Sequence, residues 1–136
     1  MFPLRLIEPP IWLEEPVAQP GSRYPTHRLF QPGDCWYAIP KNGQWYFYPE
    51  DAAHEAREIQ IAPEHAGKHP MIVVFPGEQP WCIHSPFLTK EGWGSSGWQV
   101  SGELPKITVS PSLNFQSQYR PNAFHGHVIG GVVKNA

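Results

Sequence analysis

Proline is the residue that most limits how this chain can fold. The sequence holds 17 prolines among 136 residues, roughly two and a half times the usual ~5%. Each proline removes a backbone donor and favours extended geometry in the residue before it, which disfavours long helices and long central strands. Aromatic residues reach 13%, a composition that disordered chains lack. The prolines therefore punctuate a folded domain built of short strands.

Seven of these prolines lie in the first 33 residues, which follow no sustained helical or strand period. The apolar residues between them, such as Leu4, Ile7 and Trp12, are too numerous for a free tail. We predict that residues 1–33 form an extended arm packed on its own domain or on a neighbour, followed by a β-rich domain over residues 34–136. The same apolar residues predict a symmetric homodimer that uses the arm.

The rest of the chain has the pattern of short strands separated by turns. Aromatic runs at 35–39 and 44–48 flank Asn42-Gly43, a pair typical of a β-hairpin turn. Residues 71–75 are five consecutive apolar residues, which is typical of a strand buried on both faces. Residues 81–84 then predict an antiparallel neighbour for that strand.

The last third of the chain predicts strands at 98–101, 107–110 and 113–115, and a closing hairpin over 128–133. Residues 51–61 are the one predicted helix, capped by Asp51. The fold class is therefore mainly β: a small antiparallel β-sandwich or open barrel with one short helix and a Pro-rich N-terminal arm.

Charge and hydropathy limit the partners. A net charge of −2 offers no basic field to attract nucleic acid. No run of about 18 apolar residues predicts a membrane span, and prolines interrupt the N-terminus too early for a secretory signal. These features predict a cytoplasmic protein without a nucleic-acid or membrane partner, in which Cys35 and Cys82 stay thiols.

Two short patterns offer metal ligands. Cys82-Ile83-His84 and His125-Gly126-His127 each hold two ligands two residues apart, and such residues share one face of a strand. If the two strands adjoin, Cys82, His84, His125 and His127 form a tetrahedral zinc set. The alternative, which we favour, is that Cys82 packs as a small hydrophobe, that the histidines lie at the surface, and that the protein holds no cofactor.

A second candidate site consists of hydrogen-bonding side chains. Residues 108, 110, 112 and 114 alternate with apolar residues and can line one face of a sheet. Such a face suits a sugar, a nucleotide or a peptide. The candidate binding residues are Trp98, Thr108, Ser110, Asn114 and His125. The alternative is an ordinary solvated face, with Pro111 at a bulge or an edge.

Sequence motifs typical of catalysis are absent. No serine lies in a Gly-x-Ser-x-Gly setting, no carboxylate pair flanks a cleft motif, and no phosphate-binding glycine motif occurs. The consecutive aromatic residues at 36–37 and 45–46 must expose some of their rings, a composition common at protein interfaces. We predict a binding protein. The alternative is a metal- or His-dependent hydrolase of a small polar substrate.

Several segments, taken in order, also resemble a known family. They are residues 33–38, 69–77, 81–83, 97–102, 107–114 and 125–126. In order and spacing they resemble a family of small proteins of unknown function that tailed phages and prophages encode, some of which carry an ammonia monooxygenase label. The resemblance covers about residues 33 to 133. The chain departs from the family at His84, where an acid is common, and at His127, where an aromatic residue is common.

The resemblance implies a phage or prophage gene and supplies no catalytic residues. Some relatives have cysteine-rich insertions that suggest metal binding, but this chain lacks those cysteines, so a metal does not carry over. Phage genomes encode many small proteins that bind host or defence components or form parts of the virion. The resemblance therefore implies an inhibitor of a host factor or defence system, or an assembly component, located in the host cytoplasm or in the virion.

Overall fold

Every element of regular structure in the described part of the chain is a β-strand. The computed structural model describes residues 1–18, 25–50, 58–59, 69–83, 99–116 and 118–135. The strands are β1 (Phe2–Pro3), β2 (Arg5–Leu6), β3 (Asp34–Tyr37), β4 (Ile39–Lys41), β5 (Gln44–Tyr46), β6 (Glu58–Ile59), β7 (Met71–Val73), β8 (Trp81–Cys82), β9 (Gln99–Glu103), β10 (Lys106–Asn114), β11 (His125–Ile129) and β12 (Val132–Asn135). No helix long and apolar enough to cross a membrane occurs in these ranges.

The strands form three sheets. The outer sheet has the strand order β1-β12-β11-β10-β9, the central sheet has the order β2-β3-β7-β8, and the small sheet has the order β4-β5-β6. Neighbouring strands are antiparallel in every pair except β2 and β3, which are parallel. The predicted class, a mainly β and antiparallel fold that forms a small sandwich or an open barrel, is confirmed, and the stacked sheets of the described residues are consistent with the sandwich.

The central sheet is buried on both faces. Side chains alternate along its strands, so Cys35 and Val73 pack in a first core with the inner face of the outer sheet. Trp36 and Ile72 point the other way, into a second core that includes Phe47, Tyr48 and Ile59 beside the small sheet. Residues 71–75 are all buried, as their unbroken apolar run predicts, and β8 is the expected antiparallel neighbour.

The hairpin at Asn42-Gly43 is confirmed, but one of its arms differs from the prediction. Both turn residues have positive φ, 49° and 81°, as a type I′ turn requires. The strand before the turn is Ile39–Lys41. Residues 34–37 instead form β3 in the central sheet, because Cys35 and Trp36 must enter different cores.

Residues 107–110 and 113–115 were predicted as separate strands, but residues 106–114 form the single strand β10. Val109 lies opposite Val128 and Leu113 lies opposite Gly126, so β10 advances four positions while β11 advances two. This bulge contains residue 111, where a proline is tolerated. Val109 and Leu113 are four positions apart on β10, an even number, so their side chains point to the same face and both lie in the first core.

The predicted helix over residues 51–61 is not shown. Glu58–Ile59 is a strand that pairs with β5, and the rest of that segment lies outside the described residues. At the N-terminus, β1 and β2 are edge strands of the outer and central sheets. Leu4, between them, is buried in the first core. The start of the predicted arm therefore packs on its own chain.

Candidate functional site

The described candidates for the polar site lie on one face of the outer sheet. Ser110 and Asn114 are exposed and Thr108 is partly exposed, whereas the residues that alternate with them are buried in the first core. Asn114 lies directly opposite His125 on the neighbouring strand. We call Thr108, Ser110, Asn114, His125 and His127 the polar face. Trp98 lies outside the described residues.

Two side chains of the polar face bond to nearby backbone. The Thr108 hydroxyl accepts a hydrogen bond from the Gly130 N–H at 2.9 Å. The Asn114 Oδ1 accepts from the Gln116 N–H at 2.9 Å, a local turn bond. Both contacts stabilise turns beside the sheet, as in an ordinary solvated face.

A side chain at Gly126 would collide with neighbouring parts of the same chain. A Cβ at this position would lie 2.1 Å from the Lys134 carbonyl oxygen and 2.5 Å from the Phe124 ring. The glycine between the two histidines therefore allows strand pairing and packing.

The proposed zinc ligands are divided between different parts of the molecule. Cys82 is buried in the second core, whereas His125 and His127 lie on the polar face, beyond the first core. His84 lies outside the described residues. Among the described residues, no group of three or more His, Cys, Asp or Glu side chains could hold a metal ion.

The other cysteine, Cys35, is also buried, in the first core. Its Sγ donates a hydrogen bond to the Arg5 carbonyl oxygen at 3.2 Å. Burial, and then the negative charge of Asp34, raise the pKa of this thiol to about 12. A thiol with this pKa is a poor nucleophile at neutral pH.

A cluster of rings lies where the central and small sheets meet at the surface. The exposed His69 ring lies between Tyr37 and Trp45, with centroid distances of 4.7 Å and 4.8 Å. Tyr37 and Trp45 are both partly exposed. We call Tyr37, Trp45 and His69 the aromatic surface. The consecutive aromatic residues of the sequence divide here, because Trp36 enters the second core while Tyr37 stays at the surface.

Hydrogen bonds fix two of the three rings of the aromatic surface, Tyr37 and His69. The Tyr37 hydroxyl donates to Glu103 Oε2 at 2.5 Å and accepts from the Leu104 N–H at 3.0 Å. Burial and the bond to Glu103 raise the pKa of this phenol. His69 Nε2 lies 3.0 Å from the Ala38 carbonyl oxygen. Because a carbonyl can only accept, Nε2 carries the hydrogen.

The arm is attached to the second core by a buried arginine. Arg28 is 5% exposed, and its guanidinium lies 3.7 Å from the Tyr48 ring centroid and 5.5 Å from that of Trp12. Trp12 stacks in turn on His27, with centroids 4.2 Å apart and planes 2° apart. Such cation–π and stacking contacts are strongest where water is excluded. We call Trp12, His27, Arg28, Tyr48 and Glu50 the arm clasp.

Glu50 is the anion of the arm clasp. Both of its oxygens lie 3.0 Å from Arg28 Nη1, which also donates to the Pro10 carbonyl oxygen at 2.6 Å. Glu50 Oε1 accepts from the Trp12 N–H at 2.5 Å. Burial raises the pKa of this carboxyl, but the Trp12 N–H and Arg28 lower it by more, so the pKa lies below its usual value.

No family model, curated protein or solved structure matches the chain. The resemblance to a phage and prophage family therefore stays a prediction.

Proposed function

We propose that the protein is a binding protein that engages a protein partner through the aromatic surface. The observation that carries this proposal is the placement of the exposed His69 ring between Tyr37 and Trp45. Tyrosine and tryptophan are the side chains that most often dominate binding energy at protein interfaces.

The rigidity of these rings also supports the proposal. A side chain that is already ordered loses little conformational entropy when a partner covers it. Tyr37 is held by Glu103 and Leu104, and His69 is held by the Ala38 carbonyl oxygen. The surface is therefore preorganised, and binding can retain most of the free energy gained when apolar ring area is buried.

The resemblance to phage and prophage proteins suggests the class of partner. The proposed partner is a host factor or a defence component in the host cytoplasm, or a protein of the virion. We expect an inhibitor to copurify with its target from infected cells, and a virion component to remain in purified particles. Mass spectrometry of the two fractions, the copurified complexes and the purified particles, shows which of them contains the chain and so distinguishes the two versions.

The test of the binding function is capture from host lysate followed by measurement with the purified partner. Trp45→Ala should weaken the complex by about 2 kcal/mol, or about 30-fold in Kd, as for a hot-spot residue. Ile129→Ala, which truncates an exposed side chain on the outer sheet, is the matched control and should bind as the native chain does. Equal binding by the two variants would contradict the proposal. Turnover of a small polar substrate that His125→Ala abolishes would favour the hydrolase alternative.

Exposed apolar side chains of the arm support a proposed homodimer. Leu6, Ile11 and Leu29 are 49%, 63% and 58% exposed. Ile11→Glu should lower the mass measured by light scattering from that of a dimer to that of a monomer, because it places a charge in the apolar contact. Ile129→Glu, at an exposed position of β11 outside this group of apolar side chains, should leave the mass unchanged. A native chain that is already monomeric rules out this dimer.

A further inference from the structure

Beside the arm clasp lies an open cleft of about 270 Å³. Its apolar lining comes from Trp12, Pro25, Phe30 and Tyr48. At about 30 Å³ for each water molecule in the liquid, the space equals roughly nine waters, which suits a single small ring and is too small for a folded segment. We call this space the arm cleft.

Among the described residues that line the cleft, the one charged side chain is neutralised by its neighbour. Arg28 reaches the cleft, but Glu50 accepts from its Nη1 with both oxygens. The Arg28 guanidinium is also stacked on Tyr48 at 3.7 Å. An anion in the cleft would compete with Glu50 for the same guanidinium, so charge complementarity favours a neutral ligand.

The polar groups of the lining require a ligand that donates hydrogen bonds. His27 Nδ1 lies 2.8 Å from the Leu13 carbonyl oxygen, and since a carbonyl can only accept, Nδ1 carries the hydrogen. The other nitrogen of the neutral ring, Nε2, is then an acceptor. The Thr26 hydroxyl donates its hydrogen to the Arg28 carbonyl oxygen at 2.8 Å, so toward any further group it can only accept.

These requirements together select one class of ligand. A saccharide ring is neutral, presents apolar C–H faces to aromatic and proline walls, and carries hydroxyl donors for His27 and Thr26. The amide of Gln79, also in the lining, can both donate to and accept from a hydroxyl. A proline-rich peptide fits poorly, because proline has no N–H to donate.

We propose that the arm cleft is a binding site for one ring of a neutral saccharide. This site uses none of the residues of the aromatic surface, so it stands or falls separately from the protein-partner proposal.

The test is ligand-observed NMR of the full chain with glucose, galactose, mannose and N-acetylglucosamine, each added alone. We expect saturation transfer to at least one sugar, with a Kd on the order of 1 mM, as suits a small open site. His27→Phe keeps a ring against Trp12 but loses the Nε2 acceptor, and should weaken binding about tenfold. His69→Phe makes the same change on the aromatic surface and should leave the affinity unchanged.

Two further variants keep the test decisive if His27→Phe fails to fold. Thr26→Val preserves the side-chain shape and Gln79→Ala truncates an exposed side chain, and each should weaken sugar binding several-fold. The proposal is overturned if none of the four sugars binds, or if binding is unchanged in Thr26→Val and Gln79→Ala. Tighter binding of glucuronate than of glucose, or of a polyproline peptide than of any sugar, would also overturn it.

Discussion

The two sides of the molecule are built on different principles. The polar face belongs to a regular antiparallel sheet, and its contacts are short-range or between neighbouring strands, such as Asn114 opposite His125. The aromatic surface and the arm clasp lie on the other side, where residues distant in sequence meet. Tyr37 of the central sheet bonds to Glu103 of the outer sheet, 66 positions away, and Arg28 bonds to Glu50, neither of which lies in a strand.

This difference separates stability from recognition. The polar face follows from strand alternation over an apolar core, so its side chains need no further role to account for their positions. The rings and charges of the other side require specific long-range bonds and leave aromatic groups exposed. We therefore expect substitutions on the polar face to have small effects, and those on the other side to change stability or binding measurably.

The largest expected change in stability comes from the arm clasp. Arg28→Ala leaves the Glu50 carboxylate partly buried without its cation, and removes the cation–π contact to Tyr48. Breaking a buried pair on one side costs about 3 kcal/mol, which chemical denaturation can measure. Arg28→Ala/Glu50→Ala should cost less than the two single costs summed, because the residues are coupled. Additive costs would show that the ion pair does not hold the arm.

The pH dependence of the arm clasp is the next largest effect. The folded-state pKa of Glu50 is lowered, so its contribution is complete above the unfolded value, near 4.5, and is lost as the pH falls through the lower folded value. The protection of the Trp12 and Leu13 amides from hydrogen exchange, measured relative to their intrinsic exchange rate at each pH, should fall in that range. In Glu50→Gln this acid-dependent step should be absent, and its persistence would assign the step to another carboxyl.

Tyr37→Phe should have a smaller effect. The change removes the bonds to Glu103 and Leu104, at a cost of about 1 kcal/mol for a hydrogen-bonding group of this kind. Because the pKa of Tyr37 is raised, the native chain has this stability below pH 10 and loses it as the pH rises through the folded value. Unfolding curves of Tyr37→Phe should lack this alkaline loss. An identical loss in both proteins would contradict the assignment.

The smallest effect is expected on the polar face. Thr108→Val removes the acceptor of the Gly130 N–H, which lies at an exposed turn where water can replace the hydroxyl. The cost should stay within about 0.5 kcal/mol. A cost as large as that of Arg28→Ala would remove the contrast between the two sides.

Local patterns predicted several features of the fold well. The unbroken apolar run at 71–75, the Asn42-Gly43 turn and the placement of Pro111 at a bulge each follow from a few adjacent residues. The common face of the polar residues follows from strand alternation. Strand pairing was harder to predict. β3 pairs with β2 and β7 in the central sheet, and the sequence of β3 alone does not indicate these partners.

The arm clasp lay beyond sequence reasoning. Arg28 has no helical or strand period around it, and nothing near it in sequence predicts that a cation will be buried. Its partners come from two distant segments, one at Trp12 and the other at Tyr48 and Glu50. The aromatic surface was predicted only in part: consecutive rings indicated that some must be exposed, but not that His69 would lie between them.

The most direct test of the proposed function is a hydrogen-exchange footprint of the chain with its captured partner. We expect slower exchange on binding in residues 37–46 and around His69, with no change in β10 and β11. Protection confined to β10 and β11, with residues 37–46 unaffected, would contradict the proposal and place recognition on the polar face.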